Sequence, residues 1–233
     1  MELKPKIIFE DDYIVAIDKP AGLVVNRSNT HVGPTLQDFV EDQVAIEEEL
    51  EETDYTSRSG ILHRLDKDTS GVILMAKDTN TFEAILKQFK NRELSKEYKA
   101  ILIGDIHDSI IEIDAPIKRN PKFTFKFAVG TDGKPSQTRI ELVKNFQLNG
   151  RNYTSVTVRP KTGRTHQIRV HCLALNHCVA GDEIYCTRKE FVDSYADFAR
   201  LMLHAHSIEI THPVTGGKLL LKSELPEEFT PYF

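Results

Sequence analysis

Short apolar runs separated by turn-forming residues dominate the first hundred positions. These runs predict strands at 7–9, 13–17 and 72–76. Elsewhere apolar residues recur every three to four positions, which is the helical period. One such helix is predicted over 35–52. A second begins after Asp78 or Thr79, either of which can cap it, and its apolar stripe comprises Phe82, Ile85, Leu86 and Phe89.

The second half of the chain is richer in strands than in helices. Strands are predicted at 98–103, 110–113, 123–129, 138–143, 153–159, 201–210 and 218–221. Asn149-Gly150 suits a tight turn that joins two of them as a hairpin, and a helix is predicted over 166–175. Because several strands pair locally, we predict an α+β fold with a mostly antiparallel sheet. Neither an internal repeat nor a low-complexity linker divides the chain, so we predict one domain over 1–233.

Charge is distributed unevenly along the chain. The formal net charge is −5, but residues 41–54 hold eight acids and no Lys or Arg. We expect this acidic segment to be a surface loop. Basic residues cluster in two other stretches, over 118–126 and 151–169. Local basic patches, rather than total charge, set the affinity for phosphate, although a solvated surface of mixed charge is the simpler interpretation.

Several classes of protein are disfavoured by the sequence. It contains no apolar run of about 18 residues that would predict a membrane span, and its first residues lack the apolar segment of a signal peptide. The three cysteines, Cys172, Cys178 and Cys186, are odd in number and do not have zinc-ribbon spacing. We therefore expect reduced thiols in a cytoplasmic protein.

Cofactor and metal signals are weak. The histidine pairs 166/171 and 204/206 lack a Cys or an acid at a familiar ligand spacing. The glycines of 130–134 resemble a phosphate loop only superficially and more simply predict a hairpin turn. No Cys-His-Asn pattern supports a thiol nucleophile. We therefore predict neither metal nor cofactor.

Four separated segments hold the residues suited to chemistry. They are 19–23 (KPAGL), 63–71 (HRLDKDTSG), 95–100 (SKEYKA), and 161–171 (KTGRTHQIRVH) followed by 180–182 (AGD). Together they offer a carboxylate, a tyrosine and an arginine cluster, a set that suits covalent or acid–base chemistry on a sugar or an electron-rich ring. Asp66 and Asp68 would share a face of an extended chain, so a glycosidase with two carboxylates is an alternative.

These motifs resemble those of the RluA family of RNA pseudouridine synthases. The match includes 63–71, 163–171, and 203–205 with 212–216, and it runs from about residue 7 to the C-terminus. It implies the pseudouridine synthase fold, a large mostly antiparallel mixed sheet flanked by helices and loops with an active-site cleft across the middle. Some relatives carry a separate N-terminal RNA-binding module, which we do not predict here. The acidic stretch lies between family motifs, so we interpret 41–57 as an inserted loop.

The resemblance implies that uridine in structured RNA, ribosomal or transfer RNA, is isomerised to pseudouridine. Asp66 would be the catalytic carboxylate and Arg169 its ion-pair partner. Tyr98 would stack on the uracil and take part in proton transfer, and Arg64 would enter the stack that the target base leaves. Further RNA-binding or base-flipping residues would be His63, Lys19, Arg164, Thr165, His166 and Leu203. The sequence leaves open whether the carboxylate forms an adduct or promotes elimination.

These implied roles agree with elementary energetics. Flipping a base out of its stack costs a few kcal/mol, and an aromatic platform such as Tyr98 returns about 1–3 kcal/mol per base. Burial disfavours the charge of Asp66, and a nearby arginine opposes that effect. RNA is the only partner we predict, with the protein acting as a monomer. A module that binds RNA without turnover is the remaining alternative.

Overall fold

The computed structural model describes residues 4–28, 31–46 and 52–233. The chain divides into two compact units, with residues 1–95 and 205–224 in unit 1 and residues 96–204 and 225–233 in unit 2. In chain order the elements are β1 (Lys6–Glu10), β2 (Ile14–Lys19), α1 (Leu36–Gln43), β3 (Ser70–Ala76), α2 (Thr79–Asn91), β4 (Ser95–Ile103), β5 (Ile110–Asp114), β6 (Ile117–Arg119), β7 (Phe127–Val129), β8 (Gln137–Leu148), β9 (Arg151–Pro160), α3 (Gln167–Ala174), α4 (Arg188–Phe198), β10 (Leu203–Thr211) and β11 (Lys218–Lys222).

Unit 1 is built on a sheet whose central strand, β3, is buried along its whole length. The strand order is β1-β2-β3-β10, and β11 pairs with β10. The pairs β1–β2, β2–β3 and β10–β11 are antiparallel. Helix α2 follows β3, and its start is fixed by Asp78, whose Oδ1 accepts from the Thr81 backbone N–H at 2.8 Å. Phe82 and Ile85 of this helix join the core with Val72 and Leu74 of β3, so the predicted stripe is its buried face.

Unit 2 holds the order β4-β9-β8-β5, in which every neighbouring pair is antiparallel. The turn between β8 and β9 is formed by Asn149 and Gly150, which both have positive φ, at 51° and 75°. This is the twist that favours Asn-Gly in two-residue hairpins. Strands β6 and β7 form a separate antiparallel pair. The core lies between the sheet and α3, with Phe198, Met202 and Phe229 among its members.

The predicted α+β class with mostly antiparallel strands is confirmed, whereas several element boundaries were wrong. Helix α1 ends at Gln43, well before the predicted residue 52, and residues 47–51 of the predicted acidic loop lie outside the described residues. The strand predicted over 123–129 is formed only at Phe127–Val129. Helix α4 was not predicted, because only Ser194 and Phe198 of it are buried and the apolar stripe is correspondingly weak. The single-domain organisation stays a prediction.

The expectation of three reduced thiols was wrong for two of them. Cys178 and Cys186 form a disulfide with a Cα–Cα distance of 5.6 Å, and Cys172 is a free, buried thiol. The eight-residue separation gave no sign of this pairing, because the approach depends on the irregular chain between α3 and α4. Within the described ranges, no helix has the length and apolar character needed to cross a membrane.

Gly71 is the last residue of the motif 63–71 and the second residue of β3, and it lies under a tight steric constraint. Its φ is +115°, and a Cβ at this position would overlap the carbonyl oxygen of Ala205. We predict that Gly71→Ala lowers the free energy of unfolding by at least about 3 kcal/mol, because backbone strain and a backbone clash combine. Urea unfolding followed by circular dichroism measures the change.

Gly216 provides the matched control for this substitution. Its φ is +70°, but open space surrounds its Cβ position, so Gly216→Ala should cost only the left-handed backbone penalty of about 1–2 kcal/mol. Equal losses for the two variants would contradict the close approach of β3 to the residue Ala205.

Candidate active site

Asp66 lies on a short turn that leads into β3 of unit 1. The Thr69 backbone N–H donates to the carbonyl oxygen of Asp66 at 3.2 Å and closes the turn. Asp66 is half-buried, whereas its neighbours Lys67 and Asp68 are exposed. Thr69 is buried, and its hydroxyl has no hydrogen-bond partner among the described residues. Asp66 and Asp68 therefore differ in exposure, although they lie only two residues apart.

Lys19 holds this turn in place through a hydrogen bond to its backbone. Its side chain is fully buried, and its ammonium donates to the carbonyl oxygens of Pro20 at 2.8 Å, Leu23 at 2.9 Å and Lys67 at 2.9 Å. The Gly22 backbone N–H also donates to Lys67 O at 2.8 Å. A buried ammonium engaged with three carbonyls holds two motif loops together, and the contact between Lys19 and RNA stays a prediction.

His63 and Arg64 precede Asp66 and differ in exposure. His63 is half-buried, and its Nε2 accepts from the Leu74 backbone N–H at 3.1 Å, while its ring lies 5.2 Å from that of Phe89. This ring therefore anchors the segment to β3 and α2. Arg64 is exposed, which agrees with the predicted insertion of its side chain into an RNA stack.

Arg169 is held in unit 2 by a carboxylate to which sequence analysis gave no role. Its Nε lies 2.7 Å from Oδ2 of Asp182 and its Nη2 lies 2.8 Å from Oδ1, and both side chains are buried. Asp182 Oδ1 also accepts from the backbone N–H groups of Ile184 and Tyr185. A two-point pair of this kind fixes the plane of the guanidinium, so Asp182 is a positioning residue for Arg169.

Tyr185 connects Arg169 to His166 and to β7. The Arg169 guanidinium lies 5.1 Å from the centre of the Tyr185 ring. The Tyr185 hydroxyl is 2.8 Å from His166 Nδ1 and accepts from the Phe127 backbone N–H at 2.9 Å. His166 has a φ of 55°, a costly conformation for a residue with a side chain. The contact with Tyr185 stabilises this conformation of His166. It also occupies Nδ1 of His166, which is predicted to bind RNA.

Gln167 shapes the loop that carries Arg164 and Thr165. Its Oε1 accepts from the Thr162 hydroxyl at 2.7 Å and from the Arg164 backbone N–H at 3.1 Å. Its Nε2 donates to the Gln137 carbonyl oxygen and the Thr138 hydroxyl, each at 2.9 Å. The buried amide is thus fully used inside the protein. Arg164 is half-buried and Thr165 is exposed, so both stay candidates for RNA contact.

Tyr98 and Leu203 come from neighbouring parts of unit 2. Tyr98 lies on β4 opposite Val158 of β9 and is half-buried, packed against the core of the unit. Leu203 is 3% exposed and belongs to the core itself. The predicted apolar wall at Leu203 stays a prediction, and any such contact would use the small part of its surface that is accessible.

The predicted site residues fall into two groups. Lys19, His63, Arg64 and Asp66 lie in unit 1, and Tyr98, Arg164, Thr165, His166, Arg169 and Leu203 lie in unit 2. Sequence analysis missed the roles of Asp182, Tyr185 and Gln167. The only signal for Asp182 was its place in the segment 180–182, and no spacing rule relates it to an arginine 13 residues earlier.

Two alternative chemistries lose support within unit 2. The atoms of Cys178, Cys186 and Glu190 that would bind a metal cluster within 4.8 Å, but both sulfurs are joined in the disulfide and are therefore not thiolate ligands. Burial raises the pKa of the Cys172 thiol to about 12. A thiol with that pKa is not ionised at neutral pH and is a poor nucleophile.

The hairpin formed by β6 and β7 carries one of the predicted basic stretches. The rings of Phe123 and Phe125 are 52% and 59% exposed. The ammonium of Lys126 lies 5.8 Å and 5.9 Å from their centres, and the Arg119 guanidinium lies 5.2 Å from the ring of Phe127. Exposed aromatic rings next to cations are typical of surfaces that bind single-stranded nucleic acid.

Comparison with known proteins agrees with these motifs. Residues 13–174 match the family model described as RNA pseudouridylate synthase. The chain is 36% identical over 226 residues to ribosomal large subunit pseudouridine synthase D of Nitrosomonas europaea, covering 96% of this chain and 62% of that protein. The corresponding protein of Pseudomonas aeruginosa is 36% identical over 236 residues, covering 98% and 70%.

A solved structure shows the same fold. The human RNA pseudouridylate synthase domain containing 1 superposes with a TM-score of 0.76 at 27% identity, covering 97% of this chain and 87% of that one. The chain spans just under two thirds of the length of the Nitrosomonas relative. The match of the family model over most of the chain, with relatives more than 30% identical, shows that this chain belongs to the RNA pseudouridylate synthase family.

Proposed function

We propose that this protein isomerises uridine in RNA to pseudouridine with Asp66 as the catalytic carboxylate. The observation that carries the proposal is the folded motif 63–71, in which a half-buried Asp66 occupies a closed turn fixed by the Lys19 ammonium. The names of the bacterial relatives refer to the large ribosomal subunit, so we take ribosomal RNA as the first substrate to test and a transfer RNA stem-loop as the second.

The reaction needs a carboxylate, a surface for the base and a path for one proton. The target uridine leaves its stack, and the bond between the ribose and N1 of uracil breaks. The uracil turns, C5 bonds to the ribose and loses its proton, and N1 takes up a proton. Asp66 acts on the ribose or on the base. Tyr98 stacks on the uracil and takes part in the transfer of the proton. Product and substrate have the same atoms, so the overall balance requires no added reactant.

Arg169 is the proposed ion-pair partner of Asp66. Two-point binding to Asp182 fixes its guanidinium, which makes the cation a rigid group rather than a mobile surface charge. In this proposal Asp182 positions Arg169 for the ion pair with the catalytic acid. A monomer that acts in the cytoplasm without metal or cofactor stays the prediction from sequence.

The two acids of the motif differ in a way that separates the synthase from a glycosidase with two carboxylates. We predict that Asp66→Asn abolishes tritium release from RNA labelled at C5 of uridine while the affinity for that RNA stays within about two-fold. Asp68→Asn removes an exposed carboxylate two residues away and should keep most of the activity. Equal loss in both variants would favour paired carboxylates, and full activity of Asp66→Asn would refute the catalytic role.

Tyr98 should act both as a stacking surface and through its hydroxyl. We predict that Tyr98→Phe binds RNA normally but turns over at least about ten-fold more slowly, a typical share for a proton-transfer group. Tyr98→Ala should in addition bind more weakly, by about 1 kcal/mol or more, because the base loses its aromatic platform. Single-turnover kinetics over a range of protein concentrations separate the two effects, and identical behaviour of both variants would rule out stacking.

The β6–β7 hairpin should strengthen binding to unpaired RNA. We predict that replacing both Phe123 and Phe125 with Ala raises KM for a ribosomal RNA fragment by at least about five-fold, because stacking contributes about 1–3 kcal/mol per base. Val192→Ala is the control, since Val192 is also an exposed apolar residue of unit 2, at 49%. Steady-state kinetics measure KM, and an unchanged KM would show that the exposed rings do not contact RNA.

A further inference from the structure

The face of β4 that carries Tyr98 also carries a lysine without a carboxylate. Lys96 lies two residues before Tyr98, so both side chains emerge on the same face of the strand. Lys96 is half-buried, and its Nζ donates to the Thr162 carbonyl oxygen at 3.2 Å. Gly163 flanks the ammonium closely, since a Cβ there would lie 3.7 Å from Nζ. The ammonium therefore sits at the loop 161–166 that bears Arg164.

The charge that acts on the Lys96 ammonium has the same sign. Burial, with a smaller contribution from the Arg164 guanidinium, lowers the pKa of the Lys96 ammonium to about 8. No carboxylate forms an ion pair with Lys96 or with Arg164 within the described ranges 4–28, 31–46 and 52–233. Two cations are thus brought together in a partly desolvated place without a compensating anion, an arrangement that costs free energy when it is empty.

The opposite face of the same strand is electrically balanced. Glu97 lies 2.9 Å from Lys99 and 2.6 Å from Arg159 of β9. The cations on the Glu97 face of β4 are therefore paired with an acid, whereas Lys96 on the Tyr98 face and the neighbouring Arg164 have no ion-pair partner among the described residues. The imbalance is specific to one face of β4, which indicates a ligand rather than a general excess of basic residues.

Arg164 is oriented by its backbone as well as by its side chain. Its N–H donates to Gln167 Oε1 at 3.1 Å, and its Nε donates to the Pro135 carbonyl oxygen at 3.3 Å. These two contacts fix the backbone N–H and Nε of Arg164, and its two terminal nitrogens, Nη1 and Nη2, are left for a ligand. A lysine acting as a point charge beside an arginine with a planar fork is a combination that recognises phosphate oxygens.

We propose that Lys96 and Arg164 form a subsite for a backbone phosphate of the RNA, next to the nucleotide whose base stacks on Tyr98. This inference rests on the proposed function. Two residues along a strand span about 6.6 Å, so a nucleotide held at Tyr98 would bring its own phosphate or the next one to Lys96. The bound phosphate supplies the negative charge that this face of β4 lacks, and it fixes the register of the RNA relative to Tyr98.

The test combines a protein substitution with a neutral phosphate in the RNA. Both proteins carry Asp66→Asn, so that binding is measured without turnover. The RNA affinity of the double variant with Lys96→Met is compared with that of the Asp66→Asn variant. A series of RNA loops carries one methylphosphonate, at the phosphate on the 5′ or the 3′ side of the target uridine or at a distant position. We expect Lys96→Met to lower the affinity for RNA about ten-fold. One of the two adjacent methylphosphonates should lower the affinity of the protein that retains Lys96 by the same factor. It should have little further effect on the affinity of the Lys96→Met variant.

Salt dependence and stability distinguish a ligand contact from a structural role. Lys96→Met and Arg164→Met should each reduce the slope of log affinity against log salt by about 1. Lys96→Arg should keep the slope, and Lys161→Met, which removes an exposed lysine nearby, should lower affinity no more than about two-fold. The melting temperature of Lys96→Met should be unchanged or higher, because the substitution removes a desolvated charge that lacks an acid.

Two outcomes would overturn the subsite. One is that the losses from Lys96→Met and from every methylphosphonate position multiply independently, and the other is an unchanged salt slope. A lower melting temperature with a normal salt slope would assign Lys96 to the framework instead. If the unmodified protein forms pseudouridine but Lys96→Met binds RNA normally, only this inference fails. If no pseudouridine forms in any RNA tested, the proposed function fails, whatever the binding data show.

Discussion

The position of Asp66 depends on a lysine that never reaches solvent. The ammonium of Lys19 is surrounded by three carbonyl oxygens, from Pro20, Leu23 and Lys67. Removing a charge from water is costly unless hydrogen bonds replace the lost hydration, so these carbonyls cannot move apart without leaving a buried cation exposed to apolar surroundings. The loop after β2 and the turn that carries Asp66 are therefore fixed to each other, and the acid inherits the rigidity of the sheet.

Arg169 shows the same principle in unit 2. Asp182 binds its guanidinium at two points and also accepts two backbone N–H groups. Lys96 and Arg164 break the pattern, because among the residues that the structure describes neither cation forms an ion pair with an acid. The contrast distinguishes cations that stabilise the fold from the two cations that we propose bind a phosphate. In our proposal, such local groups of cations allow a chain with a net charge of −5 to bind RNA phosphate.

Sequence patterns predicted elements whose determinants are local. The all-apolar run of β3, the Asp78 cap of α2 and the Asn149-Gly150 turn each depend on a few adjacent residues, and the structure confirms them. The contacts that Lys19 and His63 make inside the protein were not predicted, because their partners lie elsewhere in the chain, and their contacts with RNA stay predictions. Lys67 O is 48 residues from Lys19. A motif therefore indicates which side chains are special, but not which of them face the ligand and which support the loop.

The same limit applied to the cysteines and to Asp182. Neither the disulfide nor the carboxylate that holds Arg169 has a period or a spacing that a sequence pattern reveals, since both depend on the path of the irregular segment between α3 and α4. Family resemblance supplied the roles proposed for Asp66, Tyr98 and Arg169. The structure supplies what resemblance lacks, namely the contacts that hold each of these groups in place.

The central claim is that Asp66 serves an isomerisation rather than a hydrolysis. The most direct measurement is complete nucleoside analysis of a ribosomal RNA fragment, prepared without modifications and incubated with the purified protein. Our account predicts that uridine decreases and pseudouridine increases by equal amounts, at one or a few positions, with no free uracil released. Release of uracil with abasic sites in the RNA, or an unchanged nucleoside content, would contradict it.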